Sequence, residues 1–456
     1  MEPLSITEIT NAVAGELNKE VNITIDSIST DTRKLEPGDL FVALIGENFD
    51  AHNFLEQAFD QGAKAAIVDT EREYNIDQPL IKVADTTRAL QDLAAYYLQQ
   101  FSVPVIAVTG STGKTTTKDF IASVVGQRYK TLKTQGNFNN EIGLPLTLFR
   151  LDSSYQAVVL EMGMRGLGQI KRLTEIAPPD IGVVTNVGKT HIELLGSIDN
   201  IAQAKAELVQ SLDSTGTAVL NADDKRVKKM AQVTAAEVIE YGIKNKADLR
   251  ASQIKTLATE DKVSFELHAA NEKVSVTLPI PGEYNVYNAL AAVAAALELG
   301  LELDEIKRGL STVKLTEKRN QLLQTDDGVE IINDTYNANP TSVKAALKTL
   351  SQIASGRKIA VLGDMLELGS VAEKEHYKLG AVIVAEGIDY LLTIGDLAAE
   401  IAQGAEDKGL DKSKIFTYNN KEGAQAKLKE IIAVDDTVLV KASRGMKLEE
   451  IVESIS

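Results

Sequence analysis

The run Val105-Ile106-Ala107-Val108-Thr109-Gly110-Ser111-Thr112-Gly113-Lys114-Thr115-Thr116-Thr117 constrains this chain more than any other. Its apolar, β-branched opening reads as a buried strand, its glycines as a loop, and the residues from Thr115 as a helix. Glycines let backbone N–H groups converge on phosphate oxygens, and a helix N-terminus adds positive potential there. In this reading Gly110, Ser111, Thr112 and Gly113 cradle the phosphates and Lys114 brings a mobile charge to them. The Thr115 hydroxyl can coordinate Mg²⁺, and Thr116 completes the run. The general phosphate-loop pattern wants a glycine five residues before Gly113, where Val108 stands; the tighter Gly-x-x-Gly-Lys-Thr form remains.

Such a loop belongs to an α/β sheet, and the surrounding sequence agrees. Val105–Thr109, Ala157–Glu161 and Ile181–Asn186 are short, continuously apolar and β-branched, as strands covered on both faces are. Residues 247–280 predict antiparallel strands, since Val263–Leu267 and Val274–Leu278 alternate. Asn285–Leu299 reads as an Ala-rich helix stopped by Gly300. Before this region, Ser5 and Glu8 have capping-box spacing ahead of a helical stripe of Ile6, Ile9, Val13 and Leu17. Ile23, Ile25 and Ile28 suggest a strand, and Leu40–Leu44 and Ala63–Val68 read as two more. After about Val313 a further βα pattern predicts strands at Val329–Asn333, Lys358–Gly363, Tyr390–Gly395 and Thr437–Lys441. The chain of 456 residues has room for two to four domains. The expectation is an α/β protein of three domains: mixed α/β over 1–84, a central parallel sheet of the phosphate-loop ATPase type over 85–313, and a Rossmann-like domain over 314–456.

Charge removes several function classes. With 48 basic against 65 acidic residues the net charge is −17, and no stripe collects Lys and Arg. Nucleic acid is therefore not an expected partner, because phosphate neutralisation needs concentrated positive charge. The longest apolar runs, such as Ala289–Leu297, fall short of the ~20 residues of a membrane span. The start MEPLSITEIT has neither a basic nor an apolar signal region. With no cysteine there is no disulfide and no thiol nucleophile or metal ligand. The expectation is a soluble cytoplasmic protein without membrane insertion.

Several polar residues could serve the loop, and each has a plainer reading. Glu161 ends a strand, where open α/β sheets bind ligands, but such a glutamate can also cap a helix. His191, one of four histidines, is either a metal ligand or structural. Lys205, in Ala204-Lys205-Ala206-Glu207, reads by itself as a solvated helix lysine. Asn285 and Asn288 share one helix face and either read a nucleotide or cap the helix, with the cap favoured. Arg319 is a phosphate clamp or a surface charge. The runs Asn333–Pro340 and Lys441–Gly445 each follow an apolar strand and concentrate polar residues, as a site or a turn would.

In order and separation, the loop, Glu161, His191, Lys205, Asn285 with Asn288, Arg319 and Asp334 resemble the Mur ligase family of peptidoglycan synthesis. The resemblance covers nearly the whole chain. Three N-terminal runs, Asp31-Thr32-Arg33, Pro37–Leu44 and Gly46–Asp50, resemble the member that adds a dipeptide. So do Asn333–Pro340, Val361–Gly369 and Lys441–Met446. The Asp-Asn-Pro-Arg run of the third-residue enzyme is missing. Tyr284 stands where members often have histidine.

The resemblance implies an ATP-dependent amide-bond-forming ligase acting through an acyl phosphate. Its partners would be a UDP-N-acetylmuramoyl tripeptide and D-alanyl-D-alanine, and the working form a monomer. Lys114, His191, Lys205 and Arg319 would be catalytic. Thr115, Glu161, His191 and a carbamylated Lys205 would hold two Mg²⁺ ions. ATP would be bound by the loop with Asn285, Asn288, Arg319 and Asp334. The substrates would be held by Ser27, Thr30, Arg33, Asn137, Asn139, Asn140, Arg165, Asn337, Asn339, Ser443 and Arg444. The rivals are another ATP-dependent amide ligase, such as folylpolyglutamate synthase, and a phosphate-loop phosphotransferase.

Overall fold

The computed structural model describes residues 1–257, 261–270 and 272–455. The chain forms two compact units. One comprises Met1–Ala107, Tyr129–Met164 and Gly168–Ile181; the other comprises Val108–Arg128, Arg165–Leu167 and Gly182–Ser456.

In the first unit, five strands lie in the order Glu16–Leu17, Leu80–Val83, Ala65–Asp69, Leu40–Val42 and Ile28–Ser29. The last four are parallel and the first is antiparallel to its neighbour. Phe41, Ala66 and Val68 point into one apolar cluster with Leu55 and Leu80. The predicted capping box forms: Ser5 Oγ accepts from the Glu8 N–H and the Glu8 carboxylate accepts from the Ser5 N–H. The helix it opens runs only over Ile6–Ala12, and Leu17 belongs to a strand instead. The Ile23–Ile28 expectation resolves into two short strands, Thr24–Ile25 and Ile28–Ser29. Thr131–Lys133 and Ala157–Glu161 pair in parallel in this unit. Helix Thr86–Leu98 is capped by Asp85 and ends near Tyr97, whose hydroxyl donates to Leu151 O at 2.6 Å. Burial pushes that phenol up to about 12.

The second unit contains two sheets that matter for function. Strands Thr217–Asn221, Glu237–Gly242 and Leu249–Leu257 run parallel. Lys262–Ala269 and Glu272–Leu278 continue antiparallel, as the alternating residues within 247–280 predict. Of that range, residues 258–260 and 271 lie outside the described residues. The Ala-rich helix spans Glu283–Glu298 and buries Asn285, Val286 and all of 288–296, which small side chains permit. Gly300 follows in a left-handed conformation, φ +77°.

The other sheet has six strands in the order Gln321–Gln324, Glu330–Asn333, Thr437–Lys441, Lys358–Gly363, Tyr390–Ile394 and Ile415–Tyr418. All but the first pairing are parallel. Apolar clusters cover both faces, Leu347, Leu379 and Ile401 among those on one side and Leu428, Ile451 and Val452 on the other. The last strand in the chain's order, Thr437–Lys441, inserts between two earlier ones. That insertion makes a topological switch point, and such crevices at strand C-termini are where open α/β sheets take ligands.

Candidate active site

Thr109 ends the phosphate-loop strand, and its carbonyl accepts from Thr185 N–H at 3.0 Å. The helix after the loop spans Lys114–Val125, one residue earlier than the sequence predicts, with Gly113 at its N-cap in a left-handed conformation. The loop is fastened to the end of the neighbouring strand. Asn186 Oδ1 accepts from Thr112 N–H at 2.9 Å, and Asn186 Nδ2 and Thr185 Oγ1 both donate to Thr112 O. Ser111 Oγ accepts from Gly188 N–H at 2.8 Å. Lys114 Nζ donates back to Gly110 O at 2.8 Å.

A cavity of about 290 Å³ opens over this loop. Ser111, Thr112, Gly113, Lys114, Thr115 and Thr116 line it together with Asn288, Arg319, Asp334, Asn337 and Asn339. Arg319 Nη2 donates to Thr115 Oγ1 at 3.2 Å, and its guanidinium stacks 3.7 Å from the centre of the Tyr336 ring. The cap reading of the two asparagines is overturned. Gly282 is the N-cap and carries no side-chain cap. Asn285 Nδ2 donates to Pro281 O at 2.6 Å, and Asn285 Oδ1 accepts from Asn288 Nδ2. Asn288 Oδ1 in turn accepts from Thr117 Oγ1 at 3.0 Å, so the pair ties the Ala-rich helix to the helix after the loop.

Asp334 follows the strand Glu330–Asn333 and is buried. Its partner is Lys441, a residue the sequence reading quoted but assigned no role. Lys441 ends an apolar strand, and a lysine in that place is the signal that marks it. Burial lowers its pKa, with Asp334 opposing that shift. Tyr241, Tyr284 and Tyr287 also line the cavity and were not singled out as contacts. Burial raises all three phenols, so they face the cavity as neutral groups.

A second cavity, about 360 Å³, shares Ser111, Lys114, Asn337 and Asn339 with the first. Arg165, Lys189 and Arg444 make its wall cationic, and His191, Ser443 and Glu367 also line it. His191, at φ +56°, has Nδ1 2.5 Å from Glu367 Oε2. Glu367 Oε1 lies 4.0 Å from Arg165 Nε, and the His191 contact holds the Glu367 carboxyl below its usual range. Ser443 Oγ accepts from Leu366 N–H, and Arg444 pairs with Glu449.

The solvated reading of Lys205 is overturned as well. It is 2% exposed on helix Ile198–Gln210. Burial first, and the positive charge of Lys114 second, lower its pKa well below the usual value. Desolvation of an ammonium is costly, so burial shifts this side chain toward its neutral form.

In the first unit, Glu161 ends its strand as expected and is buried. Asn139 Nδ2 donates to Glu161 Oε1 at 2.7 Å, while Glu161 Oε2 has no hydrogen-bond partner. Asn140 Oδ1 accepts from Gly143 N–H, and Asn137 is exposed. Ser27 Oγ donates to Asp39. Thr30 is half-buried, and Arg33 pairs with Asp31 at 2.8 Å, holding that carboxyl near 2. Among the described residues no group of three or more His, Cys, Asp or Glu side chains converges on a metal position. No described helix is long and apolar enough to cross a membrane.

Fold and loop together define a phosphate-loop α/β protein that handles a nucleotide. Three family models match the chain: "Mur ligase family, catalytic domain" over residues 24–98, "Mur ligase middle domain" over 108–296, and "Mur ligase, glutamate ligase domain" over 318–444. A UDP-N-acetylmuramoyl-tripeptide–D-alanyl-D-alanine ligase of Bacillus subtilis is 41% identical, over 99% of this chain and 98% of its own. A MurF structure from Acinetobacter baumannii superposes with TM-score 0.93 at 33% identity, covering 100% and 99% of the two chains. A MurF ligase from Thermotoga maritima, solved in complex with ADP, gives TM-score 0.84 at 29% identity over 94% and 96%. The chain belongs to the Mur ligase family.

Proposed function

We propose that this chain joins D-alanyl-D-alanine to a UDP-N-acetylmuramoyl tripeptide, using ATP. The supporting observation is the pair of cavities that share Ser111 and Lys114: one suits a nucleotide, the other anionic peptide groups. The full-length relatives carry the same activity in their names, and the Thermotoga neighbour binds the product nucleotide.

The chemistry follows from what must meet. The tripeptide's terminal carboxylate attacks the γ-phosphorus of ATP, the bond to the bridging oxygen breaks, and ADP leaves an acyl phosphate. The free amine of the dipeptide then attacks the carbonyl, a tetrahedral intermediate forms, and inorganic phosphate departs with the acyl C–O bond. A carboxylate and a triphosphate repel each other, so the first step needs cations. Lys114 and Arg319, which both line the first cavity, supply them. Asp334 is buried and partnered, in the place expected to face the ribose. Asn285 and Asn288 complete the nucleotide end.

Toward Mg²⁺, Thr115 would offer a hydroxyl, His191 a ring nitrogen, and Glu161 a buried oxygen that has no hydrogen-bond partner. A carbamate on Lys205 would add hard oxygens and convert a repelling ammonium into an anion. Two bound Mg²⁺ ions would screen the phosphate charge. Arg165, Asn337, Asn339, Ser443 and Arg444 line the second cavity in the place of the peptide substrates. Asn137, Asn139 and Asn140 would line the muramoyl peptide's path, and Ser27, Thr30 and Arg33 would hold the uridine end. The protein acts as a cytoplasmic monomer organised as 1–84, 85–313 and 314–456.

Phosphate release with ATP and UDP-muramoyl tripeptides, with and without D-alanyl-D-alanine, tests this reading. A product-mass assay should show the dipeptide adduct. Preference for a single L-amino acid would move the chain to the third-residue ligases, and a phosphorylated hydroxyl product would make it a phosphotransferase.

A further inference from the structure

Arg319 sits between two residues in a strained conformation. Lys318 has φ +61° and Asn320 φ +47°, the left-handed region that side chains larger than glycine's resist. Asparagine tolerates it better than lysine does. Such strain persists only where the surroundings hold it, and it clusters at functional sites.

The surroundings here are specific. Thr316 donates both its backbone N–H and its Oγ–H to Asp119 Oδ2, each at 2.8 Å. Asn320 N–H donates to Asp334 Oδ1 at 3.3 Å, and Lys318 Nζ to Glu449 Oε1 at 3.0 Å. Asp119 is 1% exposed on the helix that begins at the phosphate loop. It lies one turn after Thr115, on the same face. Thr115 Oγ1 receives Arg319 at 3.2 Å. One helix face therefore grips both ends of Thr316–Arg319, at Asp119 and at Thr115.

A simpler role for Asp119 would be countercharge to buried Lys118, at 3.3 Å. That contact uses Oδ1, whereas Oδ2 receives both donors from Thr316. Charge balance alone does not aim the second oxygen.

We propose that Asp119 and Thr316 are positioning residues that hold the strained Lys318–Asn320 strap so that Arg319 stays aimed at the phosphate loop. This rests on reading Arg319 as the cation that serves ATP. The pair gives the loop helix a direct mechanical link to that arginine.

The test uses the full-length protein with ATP, tripeptide and dipeptide. Thr316→Val removes the hydroxyl at nearly constant shape, and Thr316→Ser keeps it. A hydrogen bond to a charged group supports an expected loss of about tenfold in kcat for Thr316→Val. KM for ATP should stay within about twofold, since the aim of Arg319 is felt most in the transition state, and the thermal midpoint should fall by only a few degrees, because the Thr316 hydroxyl's bond to Asp119 is already made in the folded protein. Thr316→Ser should recover most of the rate. In an Arg319→Lys background, Thr316→Val should have almost no further effect, because coupled residues are not additive. The proposal is overturned by a wild-type rate in Thr316→Val, by a rate loss that Thr316→Ser does not recover, or by an equal loss in both backgrounds. A wild-type rate in Arg319→Lys alone would instead overturn the reading of Arg319, and the proposal with it.

Discussion

Lys441 Nζ donates to Asp334 Oδ2 at 2.5 Å and to Asn337 O at 2.9 Å, and both side chains of the ion pair are buried. The two residues sit at the C-terminal ends of adjacent parallel strands, registered Asn333 to Val440, at the switch point of the six-stranded sheet. Burying two charges is costly, and breaking such a pair leaves the survivor uncompensated. Lys441→Met should cost about 3–5 kcal/mol by that argument. It should also raise KM for ATP, since Asp334 loses the group that orients it. Denaturant unfolding and ATP titration check both. Full stability with unchanged ATP use would make the pair incidental to the nucleotide.

Lys114 gives a contrasting expectation. It opens a helix, is half-buried, and its ammonium donates to Gly110 O of its own loop at 2.8 Å. Alanine suits that helical position, so Lys114→Ala should fold normally. Phosphate release should fall by at least about 100-fold, the scale on which one preorganised electrostatic contact acts. Circular dichroism and single-turnover phosphate release, measured on one preparation, separate the two effects.

Sequence reading was strongest where the signal is local. The strands Val105–Thr109, Ala157–Glu161, Lys358–Gly363 and Thr437–Lys441 have the predicted limits, because continuous β-branched apolar runs encode burial on both faces. The Ser5–Glu8 cap was legible for the same reason. What failed depends on distant packing. Ala204-Lys205-Ala206-Glu207 looks amphipathic, and only the tertiary structure turns Lys205 inward. Asn288 looked like a cap because its partner Thr117 lies far away in the chain. Lys441 needed Asp334, more than a hundred residues earlier, to acquire a meaning. Lys114 and Arg319 were legible as motif members, but the Thr316–Asn320 segment around Arg319 left no motif.

Gly110 tests the loop itself. Its φ is +153°, and a Cβ there would stand 1.9 Å from Thr185 Oγ1, the group that donates to Thr112 O. Gly110→Ala must push Thr185 aside and loosen the loop. Overpacking of this kind costs about 1–3 kcal/mol. The thermal midpoint should fall and nucleotide binding should weaken together. Thr185→Ala placed in the same chain removes the clashing hydroxyl, so it should return part of the midpoint. It should not return the binding, because the Thr112 contact is gone. Recovery of both would mean that Thr185 only fills space.

Lys205 carries the prediction with a sign to work out. Its folded pKa lies well below the usual 10.5, through burial and then through Lys114. Between those two values the unfolded chain binds the extra proton and the folded chain does not. Stability of the metal-free protein should therefore rise with pH across that window and be least on its acid side. Lys205→Met removes the linkage, so its stability should be higher at neutral pH and should vary less toward alkaline pH. Carbon dioxide adds only to a neutral amine, the form toward which burial shifts this side chain. Bicarbonate should then stabilise the wild type and leave Lys205→Met unchanged, because a group that forms only in the folded state shifts the unfolding equilibrium. Labelled bicarbonate should give a carbamate signal by carbon NMR that acid removes. Lys205→Arg should lose at least about 100-fold in turnover although it keeps a positive charge. Lys205→Ala should regain part of its turnover when a short carboxylic acid is supplied. Thermal midpoints against pH, with and without bicarbonate, are the measurement that decides. A wild-type curve parallel to that of Lys205→Met, together with full turnover in the arginine variant, would leave Lys205 as a buried lysine without a role in the chemistry.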